Sequence, residues 1–199
     1  MLKVKNLRGD VNIGLLIEQV KKSNEAAEFK LFRQYFPYVK SICIRYGASE
    51  DEVQEMVNDT FLKIFKHIDK YDPEFEFKPW IRKICINCCL TYYKKYFTDQ
   101  IRVSLDEISE IETDKTNEII ADNLSPDECL QLLNKLTPQY RTVFNLFVFE
   151  EMKHHEIAGE LNISVGTSKS NLNRAKSQLI EIIKSEKPHL FNKKIVLNG

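Results

Sequence analysis

Between Thr167 and Lys176 the chain crowds together Thr167, Lys169, Ser170, Asn171, Asn173, Arg174 and Lys176. Hydroxyls and cations are the chemistry of phosphate contacts, and amides and Arg are the chemistry of base edges. A second candidate is the run Cys85-x-x-Cys88-Cys89, which invites a metal or redox reading. It falls inside a helical pattern with no Cys pair or His close by in sequence, so core thiols are expected and no metal. His154-His155 are helix neighbours that point different ways, which argues against a shared ion. No Gly-rich phosphate loop, Ser/His/Asp set or H-E-x-x-H motif occurs, and no carboxylate pair sits in an apolar setting. The chain is therefore expected to be no enzyme and to need no cofactor.

The elements that must position the first group read as a helix-turn-helix. Ile157, Ala158 and Leu161 mark the inner side of a short first helix, and Ala158 is small where two helices must cross. Asn162 stands at the turn, where a left-handed backbone is often needed and Asn tolerates it second only to Gly. Ile163 is expected to plug the core and Ser164 to cap the next helix. Val165, Leu172, Ala175 and Leu179 are expected inward, leaving the seven polar residues outward. An ordinary helical hairpin with a polar face is the bland alternative.

Helical spacing dominates the rest, with no two-residue alternation. Ile13, Leu16, Ile17 and Val20 form one stripe; Phe29, Phe32 and Phe36 form the next, before Pro37 interrupts or kinks the chain. Val39, Ile42, Cys43 and Tyr46 follow, with Gly47 as a stop. Ser49 and Glu52 read as a capping box for a helix to about Tyr71. That helix turns Val53, Met56, Val57, Thr60, Phe61, Ile64, Phe65 and Ile68 inward and Glu52, Glu55, Asn58, Asp59 and Lys63 outward. Asp72-Pro73 ends it. The loop Glu74 to Lys78 then leads through Pro79 to a helix reaching about Phe97. After Ser125-Pro126, helices are expected over Pro126 to Leu136 and from the Thr137-Pro138 cap onward.

Charge divides the 199 residues where periodicity does. The formal net charge is zero, but residues 1–98 carry +4, residues 99–126 carry −6 and residues 127–199 carry +2. Such asymmetry speaks of partners rather than of fold. No apolar run approaches the roughly 18 residues of a membrane span. Five cysteines at no small-scaffold spacing suit a reducing compartment, and the first ten residues lack a signal-peptide core.

Three segments resemble the extracytoplasmic-function (ECF) branch of the bacterial RNA polymerase sigma factors. They are E-V-Q-E-M-V-N-D-T-F-L-K-I-F from Glu52, F-K-P-W-I-R-K-I-C-I-N from Phe77, and E-I-A-G-E-L-N-I-S-V-G-T-S-K-S-N-L-N-R-A-K from Glu156. The resemblance spans about Ala27 to Ile183. It implies that Glu55, Asn58 and Asp59 bind core polymerase, with Gln54, Glu55 and Asn58 standing where Glu, Asp and Gln are usual. It implies that Phe75, Glu76, Phe77 and Lys78 form a loop that captures bases of the minus-ten element. Lys83 and Asn87 would then face DNA, and Arg82, Lys94 and Lys95 would lie on phosphates. Capturing an unstacked base needs π-surfaces and cations together. Trp80 reads either as core or as a wedge. The seven residues from Thr167 to Lys176 would read the minus-thirty-five element, with Ser168, Asn171 and Asn173 departing from the family's usual Val, Arg and aromatic or His.

The expectation is thus an all-α chain of two small helical domains. They would be a region 2-like bundle over 10–98 and a region 4-like helix-turn-helix over 125–187, joined by an acidic linker over 99–124 and followed by a tail over 188–199. Asp106, Glu107, Glu110, Glu112 and Asp114 of the linker either suit a basic polymerase channel or are simply solvated. The expected partners are core RNA polymerase, promoter DNA and an anti-sigma factor, with no membrane insertion and a cytoplasmic location. A conventional dimeric repressor and a thiol-based metal or redox sensor are the rival readings. The first would bind palindromic duplex alone; the second would carry stoichiometric metal.

Overall fold

The computed structural model describes residues 13–97 and 124–189. Among them are eight α-helices and no strand: α1 (Ile13–Lys21), α2 (Glu25–Cys43), α3 (Glu50–His67), α4 (Phe77–Phe97), α5 (Pro126–Asn134), α6 (Pro138–Val148), α7 (His154–Leu161) and α8 (Val165–Glu186). A 3-10 turn, Ile68–Lys70, follows α3. The linker acids Asp106 to Asp114 and the end of the tail lie outside the described residues. The chain forms two compact units, one of Met1–Cys43 with Gln54–Cys88, the other of Ile44–Val53 with Cys89–Gly199.

In the first unit α1 packs on α2 and on the 3-10 turn. Two expectations for α2 are corrected. Pro37 neither ends nor interrupts the helix, which runs through it. Both Pro37 and Arg33, whose carbonyl loses its partner, are solvent-exposed, so water can replace the missing bond. The inward stripe is Ala27, Leu31, Tyr35, Val39 and Ile42, not Phe29, Phe32 and Phe36. Phe29 is exposed, while Phe32 flanks the stripe and meets Phe61 of α3 with ring centroids 4.6 Å apart.

α3 starts as its sequence demands. The Glu52 N–H donates to Ser49 Oγ, and the Glu52 carboxylate accepts from the Ala48 N–H at 2.7 Å. Its core stripe includes a fully buried Thr60, whose hydroxyl donates to the Met56 carbonyl at 2.7 Å. α4 is buried over a wide arc: Phe77, Ile81, Cys85, Cys88, Cys89, Leu90 and Tyr93 all lie inside. A helix apolar on so broad a face sits centrally rather than on a rim.

In the second unit α5, α6 and α7 all pack against α8. Ser125 caps α5 in a reciprocal box with Glu128, and Thr137 caps α6. Glu128 is drawn down to about 2 by its hydrogen bonds to Lys187 and Ser125. The apolar face of α6 is as expected at Val143, Phe144 and Leu146. Its polar burial has no counterpart in the sequence pattern. Arg141 is buried and donates to the carbonyls of Tyr46, Asn134 and Leu136. Asn145 donates to the Arg45 carbonyl, and Arg45 pairs with Glu150 at 3.2 Å and covers the Phe149 ring.

Candidate functional site

The helix-turn-helix is built by local chemistry. α7 ends at Asn162, which adopts φ 55° and ψ 47°. Ser164 then caps α8, its Oγ accepting from the Thr167 N–H at 2.9 Å. Ile157, Ala158 and Leu161 face α8, which answers with Leu172, Ala175, Leu179 and Ile183. His154 stacks on Phe147 and its Nδ1 lies 3.0 Å from Ser168 Oγ, fastening the start of α7 to α8. Burial, then repulsion from Lys169 and Lys176, holds the imidazole below its ordinary value. His155 is exposed and turned elsewhere.

Of the seven residues expected outward on α8, five are accessible. Lys169 is exposed, and Thr167, Ser170, Asn173 and Arg174 are half-buried. Asn171 and Lys176 are not outward, at 3% and 6% exposure. The reason is angular: at 100° per residue they stand beside the Ser168, Leu172, Ala175, Leu179 stripe, and a crowded helix packs its flanks too. Lys176 lays its ammonium 6.0 Å from the Phe147 ring. Val165, expected inward, is exposed at the first position of α8. Gly166 beside it is no packing necessity, since a Cβ there would meet only Ser164 Oγ at an ordinary 3.6 Å.

The aromatic loop divides in two. Phe75 is 69% exposed, with Glu76 and Lys78 exposed on either side of Phe77. Phe77 itself is buried, edge-on to Tyr35 and Tyr71 and stacked with Trp80 at 5.5 Å. It opens α4, so its side chain meets the core, not solvent. Tyr71 donates its hydroxyl to the Phe75 carbonyl, and the Glu74 N–H donates to Asp72 Oδ1, which fixes the loop's shape. Trp80 is half-buried and Lys83 and Asn87 are exposed. The three share one face of α4 by helical spacing, with Arg82 half-buried beside it. Two turns on, Lys94 and Lys95 are exposed, and Lys95 covers the ring of Tyr96 at 4.5 Å. Tyr96 is an exposed aromatic that sequence reasoning passed over, although the lysines beside it were a signal.

On α3, Asn58 and Asp59 are exposed and Glu55 half-buried, and spacing puts them on one face. Gln54 donates its amide to Asn58 Oδ1 at 2.9 Å. Leu62 belongs to the same face and is 66% exposed. It too was missed, though it sits in the quoted F-L-K. Cys85, Cys88 and Cys89 are all buried, and burial pushes the Cys88 thiol up against the pull of Thr60 and Lys63.

The described residues thus carry an acidic helix face with an apolar centre, an aromatic loop followed by a cationic helix, and a helix-turn-helix. Comparison with known proteins finds the same order. The family described as Sigma-70 region 2 matches residues 31–96, and Sigma-70, region 4 matches residues 127–179. The chain is 27% identical over 177 residues to the ECF RNA polymerase sigma factor SigW of Bacillus subtilis (strain 168), covering 82% of this chain and 92% of that one. It is 23% identical over 179 residues to the ECF RNA polymerase sigma-E factor of Haemophilus influenzae, covering 82% and 91%. Among solved structures, CnrH in complex with the cytosolic domain of CnrY aligns at 21% identity with a TM-score of 0.44, covering 87% of this chain and 97% of that one.

Proposed function

The chain belongs to the sigma-70 family, in its ECF branch, and from that membership we propose how its residues divide the work of promoter-specific initiation. The protein is a non-enzymatic initiation factor: it binds core RNA polymerase and directs it to promoters. In the proposed division, 10–98 docks on polymerase and opens the minus-ten element. The linker 99–124 passes through the polymerase cleft, 125–187 reads the minus-thirty-five element, and 188–199 is a tail.

Glu55, Asn58 and Asp59 grip the polymerase, and Leu62 fills an apolar hollow between them. Phe75 takes up an unstacked base, with Glu76 and Lys78 at its edges. Phe77 acts beneath it as the pedestal that holds Trp80 and Tyr71. Lys83 and Asn87 follow the opened strand, and Arg82, Lys94 and Lys95 neutralise its phosphates. On α8, Thr167, Lys169, Ser170, Asn173 and Arg174 meet the duplex. Bare Gly166 leaves the helix N-terminus open to a phosphate. Asn171 and Lys176 serve through packing. An anti-sigma factor as the restraining partner and a cytoplasmic location belong to the same reading; among the described residues no helix is long and apolar enough to cross a membrane.

The observation that carries this division is the exposed Phe75 standing on a buried Phe77–Trp80–Tyr71 cluster: an aromatic offered to solvent on a rigid base. Its test separates the steps. Phe75→Ala should leave core-polymerase binding unchanged while cutting permanganate-detected duplex opening at least tenfold. Asp59→Lys should abolish core binding itself. Equal opening by Phe75→Ala and the unaltered protein would refute the division.

A further inference from the structure

The thiols read as core from sequence have a partner that sequence distance hid. Cys43, the last residue of α2, brings its sulfur to 3.5 Å from that of Cys85. Cys89 lies one turn beyond Cys85 on the same face of α4. The three sulfurs all lie within 4.8 Å of one another, and all three residues are buried. Cys88, next in sequence, looks instead toward Thr60 and Lys63. Beside the trio stand the Val39 carbonyl, 3.8 Å from Cys85 Sγ, and the apolar stripes of both helices, including Ile42 and Ile81.

We propose that Cys43, Cys85 and Cys89 form a three-thiol binding site for a trivalent metalloid, with arsenite as its simplest ligand. Charge decides between the soft ions that three sulfurs could take. A zinc(II) ion on three thiolates leaves one negative charge and an unfilled fourth position. A copper(I) ion leaves two negative charges. Burying net charge in a dry apolar core is strongly unfavourable. Arsenous acid enters uncharged. Three As–O bonds break and three As–S bonds form, and each thiol proton leaves with a hydroxide as water. Arsenic stays trivalent, no electron moves, and the product is neutral and three-coordinate. Closing this site ties α2 to α4. Because the sulfurs are buried, uptake waits on local opening and is slow.

The test incubates the full-length reduced protein with sodium arsenite, both as folded and during refolding, then removes the excess. Intact-mass measurement should find one arsenic per chain, with three of the five cysteines lost to thiol titration. Cys43→Ser and Cys89→Ser, each checked for helical content, should bind at least tenfold more weakly, and Cys129→Ser should bind as before. No uptake even after refolding, or uptake indifferent to Cys43 and Cys89, overturns the proposal. So does stoichiometric zinc or copper(I) that arsenite cannot displace.

Discussion

Arg141 shows what one residue can hide. Nothing in its spacing marks it as buried, because an Arg among apolar residues ordinarily reads as a solvated edge. Its three carbonyl acceptors come from Tyr46, Asn134 and Leu136, two different stretches of chain. Arg141→Ala strips those buried carbonyls of a charged donor and should cost about 3–5 kcal/mol in urea unfolding. His154 gives a pH signature. Its imidazole titrates below 6.5 in the fold, so the unfolded chain takes up the proton first on acidification. The stability His154 contributes is therefore complete at neutral pH and fades as pH falls through about 6.5. Melting temperature should drop between pH 7 and pH 5.5, and His154→Gln should flatten that drop.

Whole elements were the most legible level, because caps and turns are short-range chemistry. Ser49, Ser125, Thr137 and Ser164 each cap the helix that follows, and Asn162 is left-handed as the turn requires. Replacing Asn162 with Val should cost about 1–2 kcal/mol, since a β-branched residue resists that backbone, while Gly should be tolerated. Denaturant midpoints of the two variants check this. What spacing misjudged was the precise face of a helix. In α2 two apolar stripes overlap, and only packing chooses Leu31 and Tyr35 over Phe29. In α8 the sequence shows which residues are polar but not how far the packed arc extends, so Asn171 and Lys176 were read as outward. Ser23 and Glu151 take positive φ with neither Gly nor Asn to announce it. The Cys43–Cys85 meeting spans 42 residues, beyond any local pattern.

At the scale of the molecule, balanced charge matters more than any single site. Neutralised phosphates supply most sequence-independent affinity for DNA, and a chain of zero net charge releases few counterions. The isolated protein should therefore bind promoter duplex weakly at physiological salt, and electrophoretic mobility shift should show a complex only when polymerase is present. A palindrome-binding dimer would behave oppositely. The account rests on the chain being an adaptor that lends core polymerase a start site. Run-off transcription from promoter fragments, with core polymerase alone and with the protein added, measures this directly. The account predicts discrete transcripts of fixed 5′ end only in the reconstituted reaction. Transcription unchanged by the protein, on every promoter carrying both elements, would contradict it.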